Sequence, residues 1–201
     1  MITKFFCRWI AGACLAAVPS QNVNALKATE ADFIRWENAW DSLIPKGTYD
    51  FISKDMNFEM MFDPTFQAKL DAAGQIIDPS LEGQIVELAG FMVALELSHR
   101  KVSSFLLVPE AGQCIHVPPP PMNQTVFVDS IHHPADLRDL YQPVIVKGRL
   151  SVVSNTFGLK RGIAAKTANS GYTLTAENIE TLEMPVDYYN HIPIVGDGDR
   201  Y

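Results

Sequence analysis

The chain has 201 residues, 47% of them hydrophobic and 19% charged, and a formal net charge of −7. That balance excludes a disordered or repetitive polymer and fits one globular domain with an added element. The negative surface disfavours nucleic-acid backbones, and no apolar run is long enough to lodge in a bilayer, so an integral membrane protein is not expected.

Residues 1–25 read as an export leader. Lys4 and Arg8 form its basic start, Trp9 to Val18 (WIAGACLAAV) its apolar stretch, and Pro19 breaks it. Val23–Asn24–Ala25 offers small residues where a leader peptidase cuts, so cleavage after Ala25 and a periplasmic location are expected. A lipid-anchoring leader at Cys14 competes, but Ala11–Gly12–Ala13 lacks the usual leucine and cleavage there would truncate the apolar stretch. Removal of the leader takes Cys7 and Cys14 with it. Cys114 then stands alone, with no partner for an internal disulfide in an oxidising compartment.

Thr29–Glu30–Ala31–Asp32 carries the cap pattern of a helix start. Phe33, Trp36, Ala39, Trp40 and Leu43 recur at helical spacing before Pro45–Lys46–Gly47 ends the run. One-sided spacing is what docking requires, so Trp36 and Trp40 are read as a docked stripe in preference to a ligand-stacking pair. Residues 48–84 mix aromatics and methionines with Asp-Pro and Gly breaks. They read as an extended excursion with a short helix near 64–72. Thioethers bind Cu(I), but three scattered methionines, Met56, Met60 and Met61, are expected to fill gaps in the core.

From residue 84 the texture becomes β. Segments 84–97, 101–109, 125–129, 143–153 and 171–184 read as strands separated by turn signals. Gly90 and Gly148 fall inside strands, where glycine marks bulges or barrel corners. Short, bent strands of this kind predict a mainly β protein: a small OB-like barrel with an N-terminal helix, a β-sandwich being the alternative. The expected layout is a leader over 1–25, a helix and packing segment over 26–83, the barrel over 84–184 and a surface tail over 185–201.

The strings "WDSLIP" (40–45), "GQIVELAGFMVALE", "FLLVPEAGQCIHVPPPPMNQTVFV", "QPVIVKGRLSV" and "SGYTLTAENIETL" follow in order. In these the chain resembles domain-of-unknown-function family 3299, small exported proteins of Gram-negative bacteria, over roughly residues 36–184. The Cys-Ile-His-x-Pro-Pro-Pro-Pro-x-Asn-Gln string is the most specific part. The sequence departs from the family pattern at Val93–Ala94–Leu95 and at Glu110–Ala111–Gly112–Gln113, leaving Cys114, His116 and the prolines untouched. The resemblance implies no assigned reaction. It implies a neighbourhood of ABC-transporter components of the inner membrane, in clusters that resemble zinc-responsive uptake loci.

An extended Cys114–Ile115–His116 puts its first and third side chains on one face, about 7 Å apart at Cβ, close enough to share an ion. Zinc would take the thiolate and imidazole with two further ligands or water. His132 and His133, just past the next strand, are the expected third ligands, with Asp129 nearby and His99 and His191 weaker choices. Pro118 to Pro121 fix φ and form a stiff strut, with Asn123 and Gln124 placed to cap its turn. Two other readings stay open. Cys114 and His116 serve as ordinary packing residues, or they form a nucleophile and base with Asn123 orienting and Gly112 lending an N–H. The expected function is a zinc-binding exported accessory to a membrane transport system. The alternative is a non-metal barrel module that docks a transporter or envelope partner. An enzyme is the lesser expectation.

Overall fold

A computed structural model describes residues 26–53, 55–57, 59–113, 119–137, 141–160 and 165–183. The leader and the C-terminal tail expected from the sequence lie outside these residues. In chain order the elements are β1 (Leu26–Lys27), α1 (Glu30–Asp41), α2 (Pro64–Ala73), β2 (Ile85–Ser98), β3 (Lys101–Val108), β4 (Val126–Asp129), β5 (Ala135–Asp136), β6 (Val144–Ser151), β7 (Asn155–Lys160), β8 (Ala165–Ser170) and β9 (Tyr172–Glu183).

Period-two alternation builds the barrel. Along β6, Val144, Val146 and Leu150 are buried while Lys147 and Arg149 are exposed, so one face turns inward and the other meets water. In β9, Tyr172, Leu174 and Ala176 turn inward in the same way. β2 pairs with β3, β3 with β4, β4 with β9, β9 with β6, and β6 back with β2. Five strands therefore close on themselves, and β4–β9 is the one parallel seam of the ring. This is an OB-like barrel with no open edge in the ring, and the sandwich alternative falls away.

Both marked glycines sit where closure demands them. β2 pairs with β6 as far as Gly90 and with β3 from Phe91 onward, so the strand turns from one partner to the other at that glycine. A Cβ on Gly90 would lie 2.6 Å from the Val108 carbonyl oxygen. Gly148 lies at the register shift between β6 and β9, and a Cβ there would meet the Thr175 carbonyl at 2.1 Å. Only hydrogen fits at these two approaches.

The helix starts as expected: the Thr29 side chain accepts from the Asp32 N–H, and the Asp32 carboxylate accepts from the Thr29 N–H at 2.9 Å. Those hydrogen bonds, with Arg35 beside it, hold the Asp32 carboxyl below its ordinary range. Trp36 and Trp40 are docked and not displayed. The Trp40 indole donates to the Ala89 carbonyl at 2.7 Å, and Trp36 donates to Glu87 while packing against Ile145 and Leu182. Truncating such a buried indole to alanine costs about 3–5 kcal/mol. α1 ends at Asp41, ahead of the Pro45 stop, and Leu43 enters the core from the turn that follows.

Candidate functional site: the proline connector and the surfaces around it

The connector between β3 and β4 starts with a turn in which Gly112 adopts φ +77° and the Glu110 N–H donates to Gln113. Cys114, His116 and Pro118 lie outside the described residues. From Pro119 onward the strut is anchored. Pro120 is buried, and Pro121 lies so close to Gly74 that a Cβ there would sit 2.7 Å from the proline ring. Thr125 donates its hydroxyl to the Pro121 carbonyl at 3.0 Å.

Asn123 does more than cap its own turn. Fully buried, it donates from its side-chain amide to the Ala73 and Ile76 carbonyls at 3.1 and 3.2 Å. Its backbone N–H donates to the Gly74 carbonyl at 3.0 Å, and its side-chain oxygen accepts from the Tyr49 hydroxyl at 3.4 Å. Carbonyls at the C-terminus of a helix have no partner within it, and Asn123 supplies one from about 50 residues away in the chain. The connector is thus a clamp on α2. Gly171 completes the joint: its N–H donates to the Met122 carbonyl at 2.8 Å, and a Cβ would meet Ile77 at 2.5 Å.

The strand register places His132 and His133. The connector enters β4 at Val126, opposite Leu107, whereas His132 and His133 follow Asp129, which faces Ser104 at the other end of the strand. Both histidines are exposed, and the turn is held by the His133 N–H donating to the Ser130 carbonyl. Asp129 accepts from the Ile131 N–H at 3.1 Å. His133 lines a polar groove of about 440 Å³ with Asp136, Glu177, Asn178, Glu180 and Thr181, where Lys101 pairs with Asp136 at 2.7 Å. Among the described residues no three His, Cys, Asp or Glu side chains are grouped closely enough to hold a metal ion. His99 occupies the two-residue turn between β2 and β3, at φ 50°, with its ring 3.0 Å from the Ser98 hydroxyl.

Two surfaces escaped the sequence reading. The first is the outer face of β2–β3–β4, the face on which OB barrels commonly take ligands. Here β7 and β8 form a hairpin that covers it: Phe91, Val93, Leu106 and Val108 are buried with Leu159 and Ala168, and Phe127 stacks on Phe157 at 4.9 Å. A signal was present. The runs Phe91–Val93 and Phe105–Val108 are apolar without alternation, as strands buried on both faces are.

The second surface is the excursion itself. Met60, Met61 and Phe62 are 48%, 49% and 66% exposed, which corrects the expectation that Met60 and Met61 fill the core, while Met56 is half-buried. The barrel interior is already closed by the side chains of its own strands together with Trp40, Leu43, Leu81 and Ile77, so the middle of the excursion stays outside.

Fold and site together define a small OB-like barrel that seals its customary ligand face with its own hairpin and carries an N-terminal excursion pinned by a proline connector. The chain belongs to the protein family of unknown function DUF3299, whose family profile matches residues 40–181. It is similar to a solved DUF3299 family protein from Pseudomonas aeruginosa PAO1, at 28% identity and a TM-score of 0.50, over 80% of this chain and 98% of that one. No curated protein matches the chain.

Proposed function

We propose that this protein is an exported accessory factor that works by docking: the barrel is a rigid base, and the excursion over residues 48–76 is the surface it presents to a transporter or envelope partner. One observation carries this reading. The barrel face that would take a small ligand is occupied from within the chain, while Phe51, Ile52, Met60, Met61, Phe62 and Ile76 are held in the open by a buried clamp. Monomeric proteins seldom display contiguous apolar groups of this kind without a use for them.

A zinc-binding role for Cys114 and His116 is the second reading, and the anchored strut favours it. The chain is anchored through Asn123 and Thr125, a few residues beyond His116, and a preorganised ligand pair needs a fixed support of this kind.

Thermal midpoints with chelator and with added zinc separate the two roles. A docking protein keeps its midpoint under both, and Cys114→Ser with His116→Ala leaves its metal content unchanged at zero. A zinc protein holds about one ion per chain, loses it in the double variant and melts earlier with chelator.

A further inference from the structure

Two of the exposed apolar groups, Phe51 and Met60, line a groove of about 530 Å³ together with Met56, Phe66, Asp63 and Lys69, among others. Its shape is fixed from below. Phe51 packs edge-on against Phe66 at 5.8 Å and tilts against Tyr49 at 6.4 Å, and Tyr49 in turn reaches the clamp residue Asn123. The Asp63 carboxylate accepts the Phe66 N–H at 2.9 Å and starts α2, while Asn57 accepts the Met60 N–H at 2.9 Å and turns the loop over the groove. Methionine and phenylalanine make an adaptable apolar floor.

The segment around it has a sign. Asp50, Asp55, Glu59, Asp63 and Asp71 are all exposed, and between Thr48 and Ala72 the sequence sets only Lys54 and Lys69 against them. An apolar floor within an acidic segment selects an occupant that is apolar on one side and basic at its edges. Anionic lipid headgroups have the wrong charge. So does the chain's own segment 184–201, which carries Asp187, Asp197 and Asp199 against Arg200.

Building on the docking reading above, we propose that this groove binds a basic amphipathic peptide segment of a partner protein, its apolar side on Met60, Met56 and Phe51 and its lysines or arginines against Glu59 and the exposed acids beside it.

The test uses the protein as its cell produces it and two fluorescent peptides with leucines at helical spacing, one otherwise lysine and one otherwise glutamate. The lysine peptide should bind saturably at one per chain, weaken with salt, and lose about tenfold in affinity in Met56→Ser with Met60→Ser, as loss of two apolar lining side chains implies. Asp55→Lys with Glu59→Lys should weaken it likewise, and the glutamate peptide should not bind wild type. Equal binding of both peptides, or lysine-peptide binding untouched by either pair of substitutions, overturns the proposal. It is overturned as well if the groove instead mediates self-association or holds vesicles of anionic lipid.

A photocrosslinking residue at position 62, used in cells, keeps the two levels apart. A defined adduct with neither peptide bound would retain docking and overturn the basic-peptide chemistry. No adduct and no binding would overturn both.

Discussion

The Tyr172 hydroxyl donates to the Leu43 carbonyl at 2.6 Å, across 129 residues of chain, and accepts the Asp78 N–H at 2.8 Å. Leu43 stands where the excursion leaves α1 and Asp78 where it returns to the barrel. A single buried phenol at the start of β9 therefore fastens both ends of the excursion to the barrel, leaving its middle free to serve as a surface.

Tyr172→Phe keeps the ring and removes the fastening. The Leu43 carbonyl, in a residue with no exposure, loses its donor, and an unmet buried polar group costs about 1–3 kcal/mol. The expected outcome is a urea midpoint lowered accordingly with an unchanged slope, and faster proteolytic cutting between residues 46 and 60. An unchanged midpoint would show that water replaces the hydroxyl.

The same phenol sets an alkaline limit. Burial raises its pKa above the ordinary 10.0, the neighbouring Asp78 charge adds to the rise, and the hydrogen bond from the Asp78 N–H opposes it. A group with a raised folded pKa contributes its full stability below the unfolded value and loses it as pH climbs toward the folded one. Wild type should therefore lose stability above about pH 10 faster than Tyr172→Phe. Parallel slopes in paired denaturation series would remove Tyr172 as the cause.

Asn123→Ala tests whether the "PPPPMNQ" string is a clamp. The substitution strips donors from the Ala73 and Ile76 carbonyls and an acceptor from Tyr49. A loss of about 2–3 kcal/mol is expected, with exchange of the α2 amides speeding up before those of the barrel. Uniform acceleration across barrel and helix would mean that the clamp and the barrel unfold as one unit.

Much of this architecture was legible because local rules and the fold agree. Thr29 and Asp32 spell a capping box, Gly90 and Gly148 mark the two closest backbone approaches, and the alternation in β6 and β9 gives the barrel its inner face. The β7–β8 hairpin was not legible, since Asn155–Lys160 and Ala165–Ser170 are polar and small except for Phe157, Leu159 and a few alanines. Their role comes from the apolar outer face of β3 beneath them. Asn123 looked like a turn residue because its partners, Ala73 and Ile76, are distant in sequence. The methionines looked like core because composition does not reveal that the barrel is already full. Of the expected ligands, His132 and His133 lie at the far end of β4 from the connector, a separation set by the length and register of β4.

Gly148→Ala places a methyl where the Thr175 carbonyl stands 2.1 Å away, at the shift in β6–β9 register that closes the ring. Backbone cannot yield as a side-chain end can, so the cost should exceed the roughly 1–3 kcal/mol of ordinary overpacking. Low soluble yield, or loss of cooperative melting, is the expected result. Gly158→Ala is the control, since a Cβ there meets nothing within 4 Å and should leave the midpoint nearly unchanged. Equal behaviour of the two would mean that the barrel absorbs the shift.

Phe157→Ala asks whether the hairpin is a cover or an integral wall. Phe157 stacks on Phe127 with ring centroids 4.9 Å apart, outside the barrel interior that holds Leu88, Leu107 and Leu150. Because the two clusters are distinct, removing the ring should loosen β7–β8 without opening the barrel. A loss of about 2–4 kcal/mol is expected from truncating a half-buried phenylalanine. Binding of a hydrophobic dye should rise as Leu106 and Val108 become reachable, and amide protection should fall in residues 155–170 while persisting in β3 and β9. Loss of protection in all strands together would make the hairpin part of one cooperative core, and the outer face of β2–β3–β4 would then be no surface at all.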